Sequence, residues 1–209
     1  MSSDDKYHVK RHDDREVFDR EQVNALLDSE YVAHVGFVDN DVNEPFVLPM
    51  AFARDNDRIL LHGSTGSRLM MKIAAGAQLC ITVTKLNAIV VAKSAFNSSM
   101  NYESVMVFGK AKLLQDDEKL AAMTAISDVL VPGMSSYARP MTSKEVAGTM
   151  IVEVPLTKYS AKSRTGGVND EPEDKELPIW SGLIPLTTLR GAPVTAEDSA
   201  GITVPPHIK

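Results

Sequence analysis

Between residues 31 and 61, three apolar runs follow one another across turn clusters too short to hold a helix, and this constrains the fold more than any other feature. Tyr31 to Val38 alternates apolar and small residues, Asp39 to Glu44 is a cluster of turn formers, Pro45 to Phe52 is a second run, and Arg54-Asp-Asn-Asp57 turns into a third at Ile59 to Leu61. A parallel pair needs a crossover of a dozen or more residues, so strands this close in sequence pair as an antiparallel meander. Further strands are expected over Gln78 to Thr84, over Tyr102 to Leu114 with Gly109 as a bulge or barrel bend, and over Thr149 to Leu156. Helices are expected after Asp19, whose spacing to Gln22 is that of a capping box, then from Arg68 to Ala75, and from Asp116 to Ile126 with an acidic first turn. About six strands and few helices make the chain mainly β, a six-stranded antiparallel barrel with peripheral helices.

Residues 1–16 are polar and charged and read as a flexible N-terminal arm, residues 17–164 hold the barrel, and residues 165–209 shift to Gly, Pro and charge, a tail expected to pack on the barrel or on a partner subunit. With 28 Asp and Glu against 22 Lys and Arg, and no basic run longer than Lys10-Arg11, nucleic acid is an unsuitable main partner. The single Cys80 lies in an apolar run and reads as core filler, with no disulfide framework. No stretch approaches the apolar length of a membrane span, so no membrane partner is expected and the chain reads as cytoplasmic. No metal site is expected, His8 and His12 included.

The stretch from Arg58 to Lys72 runs from an apolar strand through His62-Gly-Ser-Thr-Gly-Ser67 into a basic helix start. Gly63 and Gly66 permit close backbone approach, Ser64, Thr65 and Ser67 supply hydroxyls, and Arg68 and Lys72 share a helix face at i,i+4. Such a turn can cradle a phosphate, and it equally suits an ordinary capped turn with a solvated basic face.

The order of the opening helix, the three meander strands, His62 to Arg68, and then Tyr102-Glu-Ser-Val-Met-Val-Phe-Gly109 resembles the pyridoxamine 5'-phosphate oxidase-related flavoproteins, in particular the branch of the nitroimidazole-resistance proteins. The likeness covers Asp19 to Arg164, and Trp180-x-Gly-x-x-Pro185 is similar to members of that branch. The resemblance implies a split β-barrel of FMN-binding type that forms a homodimer, with one FMN per subunit in a cleft shared by the two chains. It also implies an oxidoreductase that reduces a small electron-poor substrate. Carried over by residue, Gly63, Ser64, Thr65, Ser67 and Arg68 would surround the FMN phosphate, with Lys72 behind them. The main chain of Pro49, Met50, Ala51 and Phe52 would edge the ring, and Ser104 would stand near the cofactor. Trp180 would stack on a ring or anchor the tail.

His62, at the strand end beside the flavin, is the candidate catalytic residue, as hydrogen-bond or proton donor, or else a structural histidine that orients the turn. Lys162 and Arg164 form a basic loop that either reaches the phosphate or stays solvated. The chain lacks the basic, histidine-containing C-terminal segment of authentic pyridoxamine phosphate oxidases, and carries Leu69 where those have a second basic residue, so vitamin B6 oxidation is not expected. The alternative is a flavin or haem binding or storage protein on the same fold, for which His62, His34 and Tyr102 are the available axial ligands.

Overall fold

The computed structural model describes residues 7–9, 11–17, 19–39 and 41–208; the start of the expected N-terminal arm, residues 1–6, and residue 10 of the Lys10-Arg11 pair lie outside that set. The described residues form nine strands in one antiparallel sheet, where six were expected from sequence. They are β1 (Val32–Asp39), β2 (Glu44–Asp55), β3 (Arg58–Ser64), β4 (Gln78–Val91), β5 (Ser99–Lys110), β6 (Lys112–Leu113), β7 (Thr149–Pro155), β8 (Tyr159–Arg164) and β9 (Gly182–Pro185). The order is β6-β7-β3-β2-β1-β4-β5-β8, with β9 added to the far end of β4. The sheet curls until β5 meets the β7–β8 turn, where the Phe108 N–H donates to the Lys158 carbonyl at 2.8 Å. Gly109 is not a bulge, since it pairs in register with Leu79, but it passes close to β7, where a Cβ would lie 3.3 Å from Val154 Cγ1. The irregularity in the β4–β5 ladder falls at Leu86/Ala88 instead, and β4 runs on through it to Val91, past Thr84 where the strand expected from sequence ends.

Helix α1 (Arg20–Ser29) starts where the Asp19 carboxylate accepts the Glu21 N–H at 3.0 Å, a simple cap in place of the expected reciprocal box. It plugs the barrel with Val23, Leu26 and Leu27, and α2 (Arg68–Ala74) adds Leu69, Met70 and Ile73. Helices α3 (Asp116–Leu130), α4 (Met134–Tyr137) and α5 (Ser143–Gly148) lie outside the barrel. Two cores result. Inward residues such as Val35, Phe52, Ile59, Leu61, Ile81, Val107 and Val152 fill the barrel, while Ala53, Leu60, Leu114 and Ile151 point the other way and pack under Ala122 and Ile126 of α3. Burial of each such aliphatic side chain contributes about 1.5–3 kcal/mol.

Cys80 is only half buried, because alternation on β4 sends Leu79 and Ile81 inward and turns Cys80 to the outer face. In the tail, β9 extends β4, Lys93 N–H donates to the Asp170 carboxylate at 2.7 Å, and Arg190 stacks over the Tyr31 ring. At the other end, the Tyr7 ring stands 4.9 Å from Phe108 and the Val17 N–H donates to the Ala161 carbonyl. No helix among the described residues is long and apolar enough to cross a membrane.

Candidate functional site

Strand β2 changes partner along its length. Its first part, Glu44 to Ala51, pairs with β1; its last part, Phe52 to Asp55, pairs with β3. The β2–β3 ladder ends at Phe52↔Leu61, but β3 continues along β7 as far as Ser64↔Thr149. The two strands therefore diverge, and the facing edges of residues 44–51 and 62–64 have no strand partner among the described residues. This wedge collects Pro49, Met50 and Ala51 on one side and His62, Gly63 and Ser64 on the other, with unpaired main-chain donors and acceptors that suit a ring system with polar atoms along one edge. Phe52 contributes main chain alone, as its side chain lies in the barrel core.

Gly63 is required by packing, because a Cβ there would lie 2.6 Å from Met70 Cγ and α2 could not approach the strand so closely. The hydroxyls of the turn are already engaged: Ser64 Oγ accepts the Gly66 N–H at 3.2 Å and Ser67 Oγ caps α2 by accepting the Met70 N–H at 3.3 Å. Thr65 is exposed, and its N–H donates to the Gly148 carbonyl.

Arg68 and Lys72 share one face, as their spacing requires, but both face a carboxylate that sequence did not connect with them. Asp39, at the end of β1, has a fully buried side chain. It accepts Arg68 Nη2 at 2.5 Å and Nε at 3.1 Å, Lys72 Nζ at 3.1 Å and the Asp41 N–H at 3.0 Å. Lys72 also bonds the Asp41 carboxylate. The Asp41 N–H, then the Lys72 ammonium and the Arg68 guanidinium, hold the Asp39 carboxyl down at about 2 against the opposing effect of desolvation. Lys72 is raised by the same contacts, Asp41 first. Arg68 lies 5.7 Å over the Phe46 ring, its side chain is 60% exposed, and its Nη1 has no partner among the described residues.

His62 faces the other way. The alternation of β3 groups it with Leu60 on the α3 side, and it lines a cavity of about 160 Å³ with Met123, Ile126, Leu130, Met141 and Ile151. This cavity shares Ser127 and Met141 with a second one of about 580 Å³ that opens along α3 past Leu120 and Met134 to Arg139. Together they fall in the size range of cofactor pockets, about 300–1,000 Å³. His62 Nδ1 is buried without a hydrogen-bond partner among the described residues. At the outer rim, Arg139 makes a two-point ion pair with Glu145, at 2.5 and 3.0 Å, which with the Thr142 N–H holds the Glu145 carboxyl down at about 2.

Not every expected residue meets at the wedge. Ser104 sits on β5, three strands from β2, roughly 14 Å across the sheet at the usual strand spacing. Trp180 lies before β9, 64% exposed, with its ring against Gly182. Lys162 donates to the Arg11 carbonyl and Arg164 to the Asn101 side chain, so neither reaches the turn. His34 is exposed on the outer face of β1 opposite Pro49 and Thr82, and Tyr102 pairs with Arg164.

The pyridoxamine 5'-phosphate oxidase family model matches residues 19–163. Among solved structures, an FAD and haem binding protein from Mycobacterium smegmatis is 36% identical, covers 93% of this chain and 95% of its own, and superposes with a TM-score of 0.90. A flavocytochrome from Azotobacter vinelandii is 35% identical over 98% of this chain and 95% of its own, again with a TM-score of 0.90. A candidate 5-nitroimidazole antibiotic resistance protein from Bacteroides thetaiotaomicron, 22% identical over 71% of this chain and 86% of its own with a TM-score of 0.54, shares the fold. No curated protein matches the sequence.

Proposed function

The chain belongs to the pyridoxamine 5'-phosphate oxidase family, and on that footing we propose that it is a two-cofactor redox protein, with a flavin in the β2–β3 wedge and a haem in the groove between β3 and α3. For the flavin, the main chain of Pro49, Met50, Ala51 and Phe52 edges the ring, while Gly63 to Ser67, Arg68 and, behind it, Lys72 receive the phosphate end. Arg68 Nη1 is the donor still open for an anion, and the guanidinium can reach it without leaving Asp39. A bound flavin supplies hydride and single-electron chemistry; the protein fixes the ring and keeps water from it. FMN, the expectation from sequence, and FAD both fit this description. The two relatives of about one-third identity are described as an FAD and haem binding protein and as a flavocytochrome.

One observation carries the haem: the orphaned, buried Nδ1 of His62. An unsatisfied buried polar atom costs about 1–3 kcal/mol, and an imidazole left without a partner beside an apolar cavity would be free to ligate a haem iron there. The surrounding Met123, Ile126, Leu130 and Met141 suit a porphyrin face, and Arg139 at the rim suits a carboxylate. This reading moves His62 from flavin chemistry to haem ligation and passes over His34 and Tyr102. A flavin next to a second redox centre suits an oxidoreductase, and the small electron-poor substrate is the one that the resemblance implies.

A homodimer completes the proposal. Val32, Val38, Val47 and Met106 expose an apolar outer face on β1, β2 and β5, and a second copy seated there would bring its own wedge towards residues that stand away from this one, Ser104 on β5 among them. The test is a spectrum of the protein as purified. Flavin bands together with a Soret band support the reading; flavin alone removes the haem, and a colourless protein that takes up neither group overturns both.

A further inference from the structure

We propose that Asp39 is a specificity-determining residue for the cofactor: by neutralising Arg68 and Lys72 it favours a flavin diphosphate, whose two phosphates carry one charge each, over the doubly charged monoester of FMN. The proposal rests on the flavin reading above.

The geometry is unusual for a phosphate site. The two cations that would hold the anion are matched by two carboxylates, Asp39 and Asp41, so the cluster carries no net charge before any ligand arrives. Asp39 is the dominant member. Its side chain is inaccessible to solvent, so water screens it poorly, and it touches both cations as well as the Asp41 N–H. It also occupies two of the three guanidinium nitrogens, Nε and Nη2, so Arg68 has Nη1 left to offer instead of the two-pronged fork that best grips a compact dianion. A phosphate monoester carries about −1.5 to −2 near neutral pH, since its second ionisation lies near pH 6. Each phosphate of a diphosphate bridge carries a single negative charge and spreads the load along the wedge. The buried carboxylate therefore repels the concentrated charge more than the distributed one.

The experiment titrates flavin-free protein, as the full chain, with FAD and with FMN at 0.1 and 1 M salt. The parent is expected to bind FAD about tenfold more tightly than FMN, the scale of one extra charge interaction at this range. Asp39→Asn should tighten FMN about tenfold and FAD about threefold, so the preference narrows. That narrowing should shrink at 1 M salt, where the screening length falls from about 10 Å to about 3 Å. Asp41→Asn, which alters an exposed carboxylate, should act in the same direction by about threefold and keeps the test open if Asp39→Asn does not fold. An FAD to FMN ratio that stays constant across the three proteins overturns the proposal, even if Asp39→Asn melts earlier, because a purely structural carboxylate would lower the melting point and leave the ratio alone. Parent protein that prefers FMN also overturns it. Parent protein that binds neither flavin removes the flavin reading itself.

Discussion

Two neighbouring residues of one strand, His62 and Gly63, open onto regions that solve opposite problems. On the Gly63 side, at the wedge, every charge has a partner: Asp39 holds Arg68 and Lys72, and Ser64 and Ser67 have spent their hydroxyls on backbone N–H groups. On the His62 side, under α3, the walls are mostly methionine, isoleucine and leucine, and the ring Nδ1 has no hydrogen-bond partner among the described residues. A paired site binds by exchanging or sharing its partners, so it tunes selectivity. An unpaired buried atom binds by gaining its first partner, so it tunes occupancy.

The sharpest way to break this contrast is His62→Ala. It is expected to remove the Soret band of the purified protein almost entirely while flavin absorbance stays, and a pyridine haemochrome assay reads the loss directly. Equal haem in mutant and parent would leave the groove without its ligand. Next in size, Gly63→Ala should cost about 1–3 kcal/mol in a chemical melt, since a new methyl must displace the fully buried Met70. Adding Met70→Ala should recover part of that specific penalty, and full additivity of the two costs would show that the contact is not the cause. Arg68→Ala should weaken flavin by about 1.5 kcal/mol, the low end for a charge-assisted bond because Asp39 already occupies two of its nitrogens, and should leave haem content alone. The smallest effect separates the regions by acid. Asp39 and Glu145 are both held at about 2, below ordinary values of 3.8 and 4.5. A depressed carboxyl lends stability that is complete above its unfolded value and is lost as pH falls toward 2. Asp39→Asn should flatten the stability curve between about pH 4 and pH 2, and Glu145→Gln should do so from slightly higher pH; an acid limb unchanged in both would assign it to other groups.

The hairpin order of β1 to β3 could be read from sequence because Asp39 to Glu44 and Arg54 to Asp57 announce turns in local chemistry. Asp39 was visible there only as a turn former. Its real partners lie 29 and 33 residues on, and nothing in a basic i,i+4 pair states which acid will cover it. The outlook of His62 was hidden by Ile59-Leu60-Leu61, an apolar run without alternation. Such a run signals a strand covered on both faces, and that signal, pressed further, would have put His62 under a second layer. The short α4 and α5 carry too few residues for a helical period, and β9 is a strand only because β4 offers it an edge. Cys80 was assigned inward because its neighbours are apolar, and the phase of alternation sends it out.

The β4–β9 ladder has a consequence for biogenesis. Ala88 to Val90 pair early with β5 on one side, but the neighbour on their other side, Gly182 to Pro185, is made only about ninety residues later. Until then that stretch of sheet is an open template for any passing extended segment, and closing so long a loop delays its protection by an entropic term that grows as about (3/2)RT ln n. A chain stalled or clipped before Pro185 is thus exposed to mispairing at this edge, whereas one that includes β9 seals it.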